Sequence, residues 1–389
     1  MNSKTLLFPF LLVFFEMVTY LSNDMALPAM PAMMRDLSIT AHETQWTLTS
    51  WFLGAISVQL LLGPLSDHFG RKSTLCVGGV LFVISTLVCA LTHDYQVLLI
   101  ARFIEGTGIC FISVPGYASV HESFDQIRAI KILALMGSIS ILAPALGPIF
   151  GSLVLLYADW RWIFGFLVVW SAISVLLLFL WMPETLPENK RSPLKLLPAL
   201  LCYLRILSHK EFVRISFILG FIFCGFILWI ASGPFLVIDH FHYSPTIFGF
   251  IQGVIFLSYI FANHWVKYLI DRHSINKIVR IGIIICALAS VFAFVTSLAF
   301  ANLLYPLVIA LTIFSFGSGL VSAPLNRLAI ESSNETMGAR MAIFSTIITG
   351  FATLGSILVS VFYNGTLISI SSILLFLMLL AVIFHFFRN

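Results

Sequence analysis

From Gly165 to Met182, and again from Thr366 to Phe386, the chain runs without one Asp, Glu, Lys or Arg. A helix needs about 20 such residues to cross a hydrocarbon core ~30 Å thick, and in lipid every backbone polar group must be satisfied within the spanning structure. Neither run alternates apolar with polar residues, so an outer-membrane barrel is excluded. The rest of the chain follows suit. It is 60% hydrophobic and 10% charged, where soluble domains carry roughly 45–50% apolar and about 25% charged residues. Twelve spans of about 20 residues would use about 240 positions of the 389. The expected fold class is an all-α membrane protein.

Polar punctuation predicts spans near 6–33, 45–65, 74–91, 95–119, 131–157, 161–182, 211–238, 246–267, 278–299, 303–326, 340–362 and 366–386. Eighteen of the 21 basic residues then fall at the two termini and in alternate loops: Lys4, Arg71, Lys72, Arg128, Lys131, Lys190, Arg191, Lys195, Arg205, Lys210, Arg214, Lys267, Arg272, Lys277, Arg280, Arg327, Arg340 and Arg388. The opposite loops hold Arg35 and Arg161, and Arg102 lies inside a span. The positive-inside rule therefore puts both termini in the cytoplasm. The net charge of +4 is a topology signal and gives no support to nucleic-acid binding. Glu16 and Asp24 in the first span fit a cleaved signal peptide poorly, so that span is expected to be retained.

The longest polar segment, 183–210, separates a six-span half (1–182) from a second (211–389). Its later part, with Leu196, Leu197, Leu200, Leu201, Leu204 and Leu207 at helical spacing, reads as an amphipathic helix on the cytoplasmic surface. Two such halves are the outline of secondary transporters whose substrate site lies near mid-membrane. No phosphate-binding loop is present, so ATP would have to come through another chain. The six cysteines are scattered singly and suggest neither disulfides nor zinc. His240 and His242 lack a third ligand, which makes a metal site a weak reading.

An ionisable side chain inside a span costs at least ~2.5–3.5 kcal/mol on insertion scales and so marks a cavity or a partner. Four qualify: Glu16, Asp24, Arg102 and Glu105. Glu16, Tyr20 and Asp24 recur every four residues on one stripe, with Asn23 beside it. Counted from the outer ends of their spans at ~1.5 Å per residue, Asp24 lies about 12 Å deep and Arg102 about 10 Å, which makes them natural ion-pair partners. Glu16, about 12 Å further in and without an obvious cation, is the better placed acid for proton exchange. Protons and a cationic substrate competing for the same carboxylates would give antiport. No nucleophile and base or metal constellation of an enzyme appears.

The loop after span two reads Gly63-Pro64-Leu65-Ser66-Asp67-His68-Phe69-Gly70-Arg71-Lys72. Gly63 and Gly70 suit a tight turn and close helix approach, and Asp67 suits a cap or a basic partner. Span four carries Arg102-x-x-Glu105-Gly106, and span five Ala143, Pro144, Gly147, Pro148 and Gly151, small residues that permit close helix packing. Together these resemble the signature loop, the Arg motif and the antiporter motif of the major facilitator superfamily. His68 stands where Arg is usual and Glu105 where Gln is. Only Asp271 and Arg272 echo the loop in the second half. Glu16 through Met25 with Pro28, Gly116-Tyr117-Ala118, Glu122-Ser123-Phe124, Lys131-Ile132 and Ala134-Leu135-Met136 are similar to multidrug/proton antiporters of that family.

That resemblance implies twelve helices in two six-helix bundles. It implies proton coupling and substrate charge recognition at Glu16, Asp24 and Arg102, with Glu105 adding a further acid. Tyr20, Asn23 and Met136 then fall on pocket-lining positions, and Trp229 in span seven is a candidate from the second half. The implied function is export of lipophilic, often cationic compounds across an inner membrane by a monomer using protons and no cofactor. Export or import of a dedicated metabolite such as a siderophore would use the same acids, and the sequence leaves both readings open.

Overall fold

The structure, a computed structural model, describes residues 3–386 apart from 192, 195, 334 and 336, with some side chains, chiefly in 126–141, also outside the description. Lys195 and Arg388 of the expected cytoplasmic edges, and the side chains of Lys4, Lys131 and Lys190, lie outside the described residues. The described residues form helices and no strand. α1 (Ser3–Asp24) passes through a 3₁₀ turn at Leu27–Ala29 into α2 (Met30–Asp36). α3 (Ala41–Ser57) and α4 (Gln59–Phe69) follow, then α5 (Arg71–Leu91) and α6 (Tyr95–Phe111). A π-turn at Ile112–Gly116 leads into α7 (Tyr117–Ser123), then come α8 (Gln126–Leu155), α9 (Arg161–Trp181) and α10 (Leu196–Ser208). α11 (Lys210–Pro234) ends in a second π-turn at Phe235–His240, and α12 (Pro245–Ile270), α13 (Ile275–Ala299), α14 (Tyr305–Glu331), α15 (Met337–Phe362) and α16 (Leu367–Phe386) complete the chain.

Ten of the described helical stretches are long and apolar enough to cross a membrane, or eleven when α3 and α4, bent by 46°, count as one. The protein is therefore an all-α, multi-pass membrane protein. Two expected spans differ from the simple pattern. The span near 45–65 is broken at Val58, and the span near 131–157 falls on α8, whose described apolar part is Leu142–Leu155. Helix ends follow local chemistry. Thr40 and Glu43 form a capping box at the start of α3, the Thr40 N–H donating to Glu43 Oε2 at 2.8 Å and the Glu43 N–H to Thr40 Oγ1 at 3.1 Å. Asp94 caps α6 by accepting from the Gln96 and Val97 N–H groups. Gly70, at φ 98°, makes the sharp corner between α4 and α5 in the left-handed region where a side chain would be strained.

The chain packs as two units, one of Met1–Ala26 with Thr47–Leu200 and one of Leu27–Trp46 with Leu201–Asn389. In the first, α1 packs against α8 and α9, and α5 against α6 and α9. Phe166, Val169, Ile173 and Leu176 on α9 and Val77, Leu81 and Ile84 on α5 stay exposed, an apolar surface suited to lipid rather than water. In the second unit, α11 is buried along almost its whole length from Phe212, as expected for a helix apolar all round. It packs against α14, α15 and α16, while the Leu27–Ala29 turn packs against α11 and α12. Arg35 at the end of α2 pairs with Asp239 at 3.7 Å. α10 exposes Leu197, Leu200, Leu201, Leu204 and Leu207, and its Arg205 pairs with Glu335 at 3.4 Å.

Candidate functional site

The four charges found inside apolar sequence all lie in the first unit and all are enclosed: Glu16 is 1% exposed, Asp24 4%, Arg102 3% and Glu105 0%. Arg102 and Glu105 sit on one face of α6 three residues apart. Arg102 Nη1 donates to Glu105 Oε2 at 2.5 Å and to the Ser22 carbonyl at 3.1 Å. Nη2 donates to Asn23 Oδ1 at 3.2 Å, and the guanidinium lies 5.6 Å from the centroid of the Phe164 ring. Glu105 Oε1 accepts from Thr86 Oγ1 at 2.9 Å. A buried pair with its remaining hydrogen-bonding capacity met in this way avoids much of the desolvation cost that isolated charges would carry.

The ion pair of Arg102 is thus with Glu105, and Asp24 is reached through an amide. Asn23 accepts from Arg102 at its oxygen and donates from Nδ2 to Asp24 Oδ1 at 3.3 Å. Equal depth put Asp24 and Arg102 at one level, but the acid one helical turn along the same helix is closer still. Glu16, two turns further in along α1, stands apart from this network. Its Oε1 accepts from the Tyr117 hydroxyl at 2.8 Å, whereas its Oε2 is buried with no hydrogen-bond partner. A carboxylate with one oxygen unengaged can take a proton or a cation there without breaking an existing bond. Tyr117 escaped depth counting because the π-turn at Ile112–Gly116 shifts the helix register, and its one signal was the Gly116-Tyr117-Ala118 resemblance.

The backbone under Asp24 is held closely. A Cβ added at Gly147 would meet the Asp24 Cβ at 2.5 Å, and one at Gly151 would fall on the Met25 carbonyl. Pro148 lies between these two glycines on α8 and is itself buried. Gly151→Leu is therefore expected to reach the membrane poorly and to melt well below the unmodified protein, since overpacking costs typically 1–3 kcal/mol and more against backbone. Gly63→Ala is expected to express as well as the unmodified protein and to melt no lower, because nothing lies within 4 Å of a Cβ there and alanine is the better helix former inside α4. Melting curves of the purified variants check both. Met136 is fully buried and Tyr20 half-buried in the same unit. Trp229 lies in the second unit on α11, its indole N–H donating to Gln252 Oε1 at 2.6 Å.

At the other end of the first unit, Arg71 organises a charged clasp. Its guanidinium meets Asp67 at 2.6 Å, Glu122 at 2.9 Å and the Ser66 hydroxyl at 2.6 Å. The Arg71 N–H donates to Glu184 Oε1 at 2.9 Å, and Thr185 donates to Glu122 Oε2 at 2.6 Å. The signature loop is thereby tied to α7 and to the segment after α9. Glu122 and Glu184 had shown in the sequence only as part of a resemblance and as a linker charge. His68 packs edge-on against Phe69, ring centroids 4.7 Å apart.

The sequence profile of the Major Facilitator Superfamily matches residues 12–237 and 217–389. The chain belongs to this superfamily. Among its members, the protein is 33% identical over 350 residues to the chloramphenicol resistance protein CraA of Acinetobacter baumannii, covering 90% of this chain and 84% of that one. It is 32% identical over 363 residues to the multidrug transporter MdfA of Yersinia pestis, covering 93% and 88%. Solved structures share the fold at low identity. They include the human organic anion transporter MFSD10, with a TM-score of 0.69 at 17% identity over 99% of this chain and 100% of that one. A bacterial homologue of the lysosomal transporter Spinster, inward-facing and occupied, gives 0.75 at 11% over 99% and 97%. The protein is a major facilitator transporter related to bacterial multidrug antiporters. Among the described residues no group of three or more His, Cys, Asp or Glu side chains is placed to hold a metal ion.

Proposed function

We propose that this transporter is a proton-coupled multidrug exporter of the inner membrane, moving lipophilic, often cationic compounds by alternating access. It works as a monomer of twelve spans in two six-helix bundles, 1–182 and 211–389, joined by the linker 183–210, with both termini cytoplasmic. The observation that carries the reading is the enclosed acid set of the first unit, above all Glu16 with one oxygen unengaged and Asp24 coupled to Arg102 through Asn23. A cation drawn to either carboxylate displaces its proton, and a proton arriving from outside releases the cation. Arg102 shares its amide contact with Asp24, so a change of charge at Asp24 is felt at the Arg102 and Glu105 pair.

The test is transport by the purified protein in vesicles with an imposed proton gradient. Gradient-driven uptake of a lipophilic cationic dye is expected, with proton release when dye is added to the protonated protein. Movement of a metal chelate or a single metabolite, with no dye transport under the same gradient, would replace this reading with that of a dedicated carrier.

A further inference from the structure

The second unit carries a buried polar couple that the acid set does not use. Trp229 on α11 is 1% exposed and Gln252 on α12 is 0% exposed. An indole N–H can only donate, so its partner at 2.6 Å must be the amide oxygen. That leaves the amide NH₂ as the other end of the Gln252 side chain, and it is buried with no hydrogen-bond partner. No acceptor stands within hydrogen-bond distance of it. Phe248 packs against Trp229 with ring centroids 6.3 Å apart, and Gly233 faces both rings. A donor buried without a partner carries an uncompensated desolvation penalty, and each such group needs an explanation. The Trp229 N–H accounts for the amide oxygen, which leucine could not replace as acceptor, but nothing in the fold accounts for the NH₂ end. Gln252 lies seven residues into α12, about 10 Å from its outer end at ~1.5 Å per residue, a depth at which bulk water is excluded from a lipid-embedded helix.

We propose that the Gln252 amide, oriented by Trp229, is a recognition point for neutral cargo that presents a hydrogen-bond acceptor, such as the oxygen of an amide, carbonyl or nitro group, on an aromatic body. The two N–H bonds of the amide attract an acceptor and disfavour a cation, the reverse of what Glu16 and Asp24 select. The transporter thus reads charge in its first unit and neutral acceptor groups in its second. This rests on the multidrug reading above.

The probes are chloramphenicol, a neutral nitroaryl amide, and tetraphenylphosphonium, a permanent cation with no acceptor, assayed with the full-length protein in vesicles. For Gln252→Leu the apparent KM for chloramphenicol is expected to rise at least tenfold while that for tetraphenylphosphonium stays within twofold. Gln252→Met should behave alike, and it serves if the leucine variant fails to fold. Trp229→Phe, which lets the amide turn, should give a smaller loss for chloramphenicol alone. Equal loss for both probes, or no change for chloramphenicol, overturns the proposal. If the unmodified protein transports neither probe, the efflux reading fails by itself. Equilibrium binding of radiolabelled chloramphenicol to purified protein then decides the Gln252 question: binding weakened at least tenfold in the variants supports it, and unchanged or absent binding refutes it.

Discussion

Arg102→Ala is expected to abolish gradient-driven transport and to lower the stability of the purified protein by about 3–5 kcal/mol, the cost typical of removing one member of a buried ion pair. The loss of stability comes less from the missing attraction than from what stays behind. Glu105 is fully enclosed, and without the guanidinium it keeps only the Thr86 hydroxyl. The Ser22 carbonyl and Asn23 oxygen also lose their donor. Combining Arg102→Ala with Glu105→Gln should recover most of the stability, because the stranded charge is gone, and should recover none of the transport. Thermal melts beside vesicle uptake separate the two effects. Were Arg102→Ala to keep both its melting point and its transport, neither a structural nor a coupling role could stand.

The double variant Glu16→Gln with Asp24→Asn is expected to eliminate proton release on substrate addition and to weaken lipophilic cations by roughly 10–100-fold, since a hydrogen bond or contact to a charged group contributes about 1.5–3 kcal/mol. In the unmodified protein, raising the pH removes protons from the shared carboxylates and should strengthen cation binding. In the double variant the dependence should be flat, because amides do not titrate. Stability should hold or rise, as two buried acids become neutral groups of the same shape. Binding isotherms for a cationic dye at several pH values provide the measurement, and a pH dependence that survived unchanged would place proton exchange elsewhere.

Much of the site was legible because charge in apolar sequence is costly. Glu16, Asp24, Arg102 and Glu105 stand out in the bare sequence, and all four are enclosed in the structure. What the sequence withheld was direction around each helix axis. Depth along a span can be counted at a fixed rise, but the partner of Arg102 depended on azimuth, where Glu105 one turn away prevailed over Asp24 on another helix. Tyr117, 101 residues from Glu16, was hidden by the π-turn, because a counting rule of 3.6 residues per turn fails across it. Gln252 gave no signal beyond being one amide in an apolar helix. Its interest arises only from which of its two ends the indole of Trp229 occupies. The bend at Val58 was equally invisible, since the apolar pattern continues through it.

The closeness of α8 to the first helix also bears on how this transporter can change under selection. Gly147 and Gly151 leave no room for a side chain beside Asp24 and Met25, so the main chain that carries Asp24 is pinned from behind. Variants with a widened or shifted drug spectrum should therefore accumulate at replaceable side chains such as Tyr20, Met136 and Gln252, while positions 147 and 151 remain glycine in every survivor. Adaptation of cargo range in this protein is a matter of exchanging the furnishings of a fixed frame.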